Sequence, residues 1–247
     1  GAGMSSRRIN NFLALTLICA FGSAAADDAA LQKRLTERLR HVMPDATITS
    51  VKAAPVPGLY EVMLGATVLY MSEDGRYVLR GDLFDLDSKA NLTDSRRVQA
   101  RTSAFSGLPP GSTIDFLAPT AKPVATLFVF TDIDCGYCRK FHREVPALNK
   151  AGISVRYLAF PRTGIGSPSY DKAVAVWCAS DRKQALTDAK SGQQPPMKKC
   201  DNPVANDYRL GESMGVHGTP ALYTEQGEEL GGYIPADELI RVFKAGG

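Results

Sequence analysis

This chain of 247 residues lacks any long apolar run. The best candidate, Phe12 to Phe21, is too short to cross a bilayer, and no later segment approaches the roughly 20 apolar residues that a spanning helix needs. A soluble mature protein is therefore expected. An excess of one charge is also missing: 29 Lys and Arg face 26 Asp and Glu, for a formal net charge of +3. So even a balance points to no nucleic-acid or membrane-surface role. Histidine is down to three residues and forms no cluster beside the cysteines, which leaves a metal site few ligands. No internal repeat or low-complexity tract stands out. What is present is 44% hydrophobic, enough to pack the core of one domain or two.

Residues Ser5 to Ala26 carry the three parts of a secretory signal: basic Arg7-Arg8, the apolar stretch Phe12 to Phe21, and small residues ending in Ala24-Ala25-Ala26. Cleavage is expected before Asp27. Loss of Arg7 and Arg8 would lower the net charge from +3 to +1. Gly1-Ala2-Gly3 ahead of Met4 reads as a cloning scar, so 1–26 is set apart from the fold. Asn10 and Asn11 stand where a twin-arginine signal wants apolar residues, which favours ordinary export. Bulky Ile18 before Cys19 argues for signal-core filler rather than a lipidated cysteine. Four of the five cysteines then remain, an even number suited to an oxidising compartment.

The stretch that organises the rest runs from Val124 to Lys150. An apolar run, Val124 to Phe130, leads through Thr131-Asp132-Ile133-Asp134 into Cys135-Gly136-Tyr137-Cys138 and then a helical pattern. A CxxC between a β-rich run and a helix reads as a redox pair on a thioredoxin-like scaffold. If the helix begins at Cys135, that sulfur lies among unpaired backbone N–H groups at the positive end of the helix dipole, which favours thiolate. Cys138 sits one turn inside, within reach of Cys135 but poorly open to solvent. The outer sulfur is expected to attack and the inner one to resolve. Phe141, Val145 and Leu148 recur at helical spacing and would face a sheet, and Pro146 would kink the helix.

Ahead of this stretch, Leu31, Leu35, Leu39 and Val42 make the apolar stripe of a helix over Asp27 to Met43, ended by Pro44-Asp45. β-like runs follow over Thr47–Val51, Leu59–Leu64, Thr67–Met71 and Tyr77–Leu86, with turns at Pro55 to Gly58 and Glu73 to Gly75. So small an α+β unit leaves strand edges open, which makes oligomerisation a natural completion; packing on its own catalytic domain is the alternative. Asn91 to Ala104, with Arg96, Arg97 and Arg101, reads as an exposed linker helix before the breaker Gly107 to Gly111, its charges a solvated face. From Ser112 the signals run strand Ile114–Leu117, the Val124 run, the helix after Cys135, then strand Ile153–Phe160, which implies a crossover unit. A helical region Tyr170–Lys190 with core residues Ala173, Val176 and Trp177 follows. Helix Val204–Met214, runs Ala221–Thr224 and Glu229–Tyr233, and a terminal helix Ala236–Lys244 complete the chain.

In an exported protein the obvious partners for one another are Cys178 and Cys200, so a structural disulfide is expected there. Zinc held by all four sulfurs is the metal alternative, disfavoured because the second pair lacks CxxC spacing. Gly218-Thr219-Pro220 lies between a helix and a β run, where proline cannot donate a ladder hydrogen bond. His142, one turn beyond Cys138, is read as an exposed residue that could tune the thiols, His217 as a flank of the redox site, and His41 as surface.

Together Phe130 to Cys138, Val155 to Pro161, the pair Cys178 and Cys200, and Gly218-Thr-Pro-Ala221 make the chain resemble the DsbC/DsbG family of periplasmic disulfide isomerases. The resemblance implies a thioredoxin-like catalytic domain with a helical insertion over 112–247. Before it would come a linker over 89–111 and a small α+β, cystatin-like N-terminal dimerisation domain over 27–88. It implies Cys135 and Cys138 as the catalytic pair with no other cofactor and no metal. It also implies a cis proline at Pro220, with Thr219, Pro220, Gly136 and Tyr137 contacting substrate. Further implications are a periplasmic V-shaped homodimer acting on misfolded disulfide-containing exported proteins, its pair kept reduced by the membrane reductase DsbD. A dithiol oxidase and a holdase chaperone are the rival functions.

Overall fold

The computed structural model describes residues 20–245, with side chains from residue 27 onward. The signal segment up to Cys19, with Arg7, Arg8 and Gly1 to Gly3, lies outside the described residues. Helix α1, Ala20–Val42, begins ahead of the expected Asp27 and buries Leu31, Leu35 and Leu39 on an antiparallel sheet. That sheet has the order β1 (Ile48–Ala53), β2 (Leu59–Leu64), β3 (Thr67–Ser72), β4 (Val78–Leu79). Its inner face supplies Val51, Val62, Leu69 and Met71. Val42, expected in the stripe, is instead 66% exposed because the helix ends there.

The run Tyr77–Leu86 is not one strand. It breaks at Arg80-Gly81-Asp82 into β4 and β5 (Phe84–Asp85), and β5 pairs with β6 (Ala90–Asn91) in a separate ribbon. Tyr77, Val78, Leu79, Phe84 and Leu86 remain exposed, so the apolar side chains that suggested one strand are left uncovered among the described residues.

Helix α2, Leu92–Ser106, is capped by Asn91, whose side chain accepts from the Asp94 N–H. It is no free linker. Thr93, Arg101 and Phe105 are buried, and Phe105 stacks on Phe128 with ring centroids 4.2 Å apart. Arg96 pairs with Glu61 of β2, and Arg101 reaches Glu229 at 2.8 Å across 128 positions of sequence. Thr102 Oγ1 donates to the Gln226 carbonyl, and a Cβ at Gly227 would lie 2.4 Å from the Val98 oxygen. The β2–β3 turn touches the same region: Gly65 has φ +62°, a Cβ there would come within 2.7 Å of Ser213, and Ala66 N–H donates to the Ser213 carbonyl. The reading of Arg101 as part of a solvated face fails because its partner is distant in sequence.

The second sheet has the order β11 (Glu229–Gly231), β10 (Ala221–Thr224), β8 (Ala125–Thr131), β9 (Ile153–Ala159), β7 (Ile114–Phe116). Only β8 and β9 run parallel, joined by α3 (Gly136–Lys150), so the expected crossover unit is present. α3 continues through Pro146 to Lys150. β8 is apolar on both faces. Leu127 and Val129 meet Phe141, Val145 and Leu148 of α3, while Phe128 and Phe130 join Phe105, Met214 and Tyr223 on the other side. A strand covered on both faces reads as a continuous apolar run, and α2 helps cover the second face.

The Tyr170–Lys190 region is two helices, α4 (Pro168–Trp177) and α5 (Arg182–Lys190), parted at Cys178 and Asp181, the latter capping α5 through the Gln184 N–H. Trp177 is 1% exposed and its Nε1 donates to the Ser112 carbonyl. Helix α6 (Val204–Ser213) precedes β10, and α7 (Ala236–Ala245) closes the described chain.

Candidate redox site

The end of β8, the start of α3 and the loop before β10 converge on two sulfurs. Cys135 is the N-cap of α3, with extended backbone at φ −84° and ψ 123°, and its sulfur accepts the Cys138 N–H at 3.5 Å. The same sulfur, as a thiol, donates to the Thr219 carbonyl at 3.2 Å. The Thr219-Pro220 bond is cis. Cys135 and Cys138 are both unbonded, 3% and 1% exposed. The outermost group is therefore not the Cys135 sulfur but Tyr137, 63% exposed, with its ring 5.8 Å from that of Tyr233. Gly136 beside it is exposed, Thr219 is half-buried and Pro220 is buried.

The pair is electrostatically split. A hydrogen bond from the Cys138 thiol, against the cost of burial, lowers the Cys135 thiol to about 5, with help from the Cys138 N–H and the Arg162 guanidinium. Burial pushes the Cys138 thiol well up, and its bond to Cys135 adds to that. Cys135 is thus the thiolate at neutral pH and Cys138 the protonated reserve.

Beneath the sulfurs lies a polar layer that the sequence reading did not single out. Burial opposes the charge of Asp132, yet its carboxylate is held below its ordinary range by Ser169 Oγ at 2.7 Å, Arg162 Nε at 2.9 Å and two backbone N–H groups. Lys190 is 3% exposed, with Nζ 2.7 Å from Thr131 Oγ1. The signal that could have found it is its spacing from Leu186, since residues four apart share a helix face and both are buried on α5. His142 is a correction: it is 7% exposed, bridges Tyr157 OH and Thr187 Oγ1, and is lowered to about 4 by burial and then by Lys190. His217 and His41 are exposed, and His217 lines a groove of about 320 Å³ with Val216, Thr219, Pro220 and Tyr223.

Cys178 caps the end of α4 and is bonded to Cys200, S–S 2.05 Å and Cα–Cα 5.7 Å. Bonded sulfurs have no thiolate to offer a metal, so the four-sulfur zinc alternative loses two of its ligands. Among the described residues no helix is long and apolar enough to cross a membrane.

Residues 22–94 match the family described as the disulfide bond isomerase protein N-terminal domain, and residues 114–247 match the thioredoxin-like domain. The thiol:disulfide interchange protein DsbC of Escherichia coli (strain K12) is 36% identical over 231 residues, 92% of each chain. The DsbC of Salmonella typhimurium is 36% identical over 232 residues, again 92% of each. A solved disulfide interchange protein from Neisseria gonorrhoeae aligns over 56% of this chain and 99% of its own, at 31% identity and a TM-score of 0.48. This chain belongs to the DsbC family of thiol:disulfide interchange proteins.

Proposed function

We propose that the protein is a thiol:disulfide isomerase that reshuffles incorrect disulfides in exported proteins. The observation that carries this reading is the division of the pair: a Cys135 sulfur capping α3 with its thiol lowered to about 5, and a Cys138 thiol raised by burial one turn inside. The Cys135 thiolate attacks a wrong substrate disulfide, forming a mixed disulfide and releasing one substrate thiolate. Another substrate thiol then attacks the substrate sulfur of that bond, makes a new pairing and frees Cys135. Cys138 offers an exit by attacking Cys135 itself. That releases reduced substrate and leaves Cys135 bonded to Cys138, so an external reductant, a membrane reductase in this proposal, must restore the pair.

Thr219, Pro220, Gly136 and Tyr137 are the proposed substrate contacts. The groove beside them, lined by Val216, His217, Thr219, Pro220 and Tyr223, is open, which supports an extended segment binding there. The exposed Tyr77, Val78 and Leu79 on the β4 edge support a homodimer, because an unpaired apolar edge invites a second chain. The Cys178–Cys200 disulfide supports an oxidising compartment such as the periplasm.

The test adds a substoichiometric amount of residues 27–247 to a secreted enzyme with scrambled disulfides in glutathione buffer. Recovered activity over many turnovers supports the isomerase. No recovery, together with ready oxidation of a reduced substrate, replaces it with a dithiol oxidase. Suppressed aggregation by a Cys135/Cys138→Ala double variant would add a separate holdase activity.

A further inference from the structure

The last residue of α5 places a cation under the redox pair. Lys190 is 3% exposed, and its Nζ donates to Thr131 Oγ1 at 2.7 Å and lies 3.5 Å from the Asp132 carbonyl. The ring of Tyr157 is 5.6 Å away. None of the ion pairs among the described residues includes it. A buried ammonium satisfied by neutral oxygens alone carries a desolvation cost that no carboxylate in contact offsets. Such a residue is a functional candidate when it sits beside reactive groups.

The groups around it are known. The Asp132 carbonyl just past β8 and the Tyr157 ring of β9 lie against it, and the titratable groups whose charges act with its own are Cys135, the N-cap of α3, Cys138, Arg139 and His142 within α3, and Asp132. Asp132 has its charge met by Arg162, Ser169 and two backbone N–H groups. His142 is lowered to about 4 and the Tyr157 hydroxyl is raised, so both are neutral at physiological pH. The anions left for the ammonium to meet are the sulfurs. The Asp132 carbonyl joins the two: it accepts the Cys135 backbone N–H at 3.3 Å and lies 3.5 Å from Lys190 Nζ, which places the ammonium beside the turn that carries the pair.

We propose that Lys190 is a positioning residue for the resolving step: its buried ammonium stabilises the Cys138 thiolate and so sets how fast a mixed disulfide on Cys135 is discharged. This rests on the thiol-exchange reading given above. Cys138 releases its proton to the buffer, and its sulfur forms a bond to the Cys135 sulfur. The bond from Cys135 to substrate breaks and its electron pair leaves on the substrate sulfur, which takes a proton from water. The pair is oxidised by two electrons and the substrate disulfide reduced by two. Burial lowers Lys190 to about 8, and the Cys138 charge is the first that opposes the shift, with Asp132 and Cys135 behind it. Lys190 in turn works against the upward push on Cys138. The lysine therefore tilts the balance between isomerising a substrate and letting it go reduced.

The experiment forms a mixed disulfide between Cys135 and a chromophoric nitrothiobenzoate and follows release of the coloured thiolate as a function of pH. In Lys190→Met, which keeps the length and removes the charge, release at neutral pH should slow by about tenfold and its pH midpoint should rise by about one unit, since one unit of thiol pKa is a tenfold change in thiolate. A folded Lys190→Met protein with the wild-type rate and pH profile overturns the proposal. A wild-type protein that forms no mixed disulfide overturns the exchange reading beneath it. A second measurement needs no variant: the Lys190 side chain is titrated by nuclear magnetic resonance in the reduced and oxidised wild-type protein. Its pKa should fall on oxidation, when no thiolate remains to hold the ammonium, and an equal value in both states overturns the proposal.

Discussion

The Cys135 sulfur stands 3.2 Å from the Thr219 carbonyl oxygen, joining the start of α3 to the loop before β10 across 84 positions of sequence. As a thiol, that sulfur is held by two elements, and once ionised it keeps the Cys138 N–H at the start of α3, while its partner Cys138 lies buried one turn inside the helix. The two cysteines should therefore fail differently. Cys135→Ala should abolish exchange, whereas Cys138→Ala should keep some isomerisation and accumulate mixed disulfides, read on non-reducing gels. Equal and complete loss in both would contradict the division.

Alkylation follows from the same split. Cys135 should react with iodoacetamide at a rate that rises through pH about 5 and is level near neutrality, while Cys138 stays unreactive in the native protein. A thiol lowered from 9.0 to about 5 on folding stabilises the reduced form fully above pH 9, and that contribution is lost as pH falls toward 5. The reduced protein should lose denaturation stability over that window while the oxidised protein does not.

Asp207 on α6 moves the other way. It is 2% exposed, accepts only the Ala159 N–H among the hydrogen bonds described, and burial raises it from 3.8 to about 7. A carboxyl raised on folding costs nothing in acid and progressively more as pH climbs from 3.8 to 7. Asp207→Asn should therefore gain roughly 2–4 kcal/mol at pH 8 in urea denaturation, the gain vanishing near pH 4. No gain at pH 8 would show that the carboxyl finds other relief.

α2 should behave as part of the second sheet's core. A chain starting at Asn91 keeps Phe105 on Phe128, and one starting at Ser112 loses it. The shorter chain should be less stable by at least about 2 kcal/mol, the worth of one buried aromatic side chain. Equal denaturation midpoints would return α2 to the role of a loose linker.

The Cys178–Cys200 bond closes a segment with a sequence separation of 22. Replacing both by Ala should cost about 3 kcal/mol in denaturant while leaving Cys135 alkylation unchanged. A changed alkylation rate would tie this bond to the redox site.

The strands and helices around the pair were legible because their residues answer to local rules. Val124 to Phe130 is apolar throughout since β8 is covered on both faces, and Phe141, Val145 and Leu148 repeat at helical spacing. The polar layer was not legible. Arg101 and His142 read as surface by residue type and Lys190 was not singled out at all, and each is buried with a partner that lies far along the chain: Glu229, Tyr157 and Thr131. The run Tyr77–Leu86 misled in the opposite sense. Its apolar pattern is real, but whether it forms one strand depends on what lies against it, and β4 and β5 belong to different sheets.

One chain here keeps two cysteine pairs in opposite states, and the helices explain how. Cys135 caps the beginning of α3 and Cys178 caps the end of α4. A departing thiolate is welcomed at the first position by exposed N–H groups and opposed at the second by exposed carbonyls. Bonds to a good leaving group exchange quickly and bonds to a poor one slowly. A reductant meeting this protein thus encounters one disulfide made to open and one made to endure, told apart by which pole of a helix the sulfur occupies.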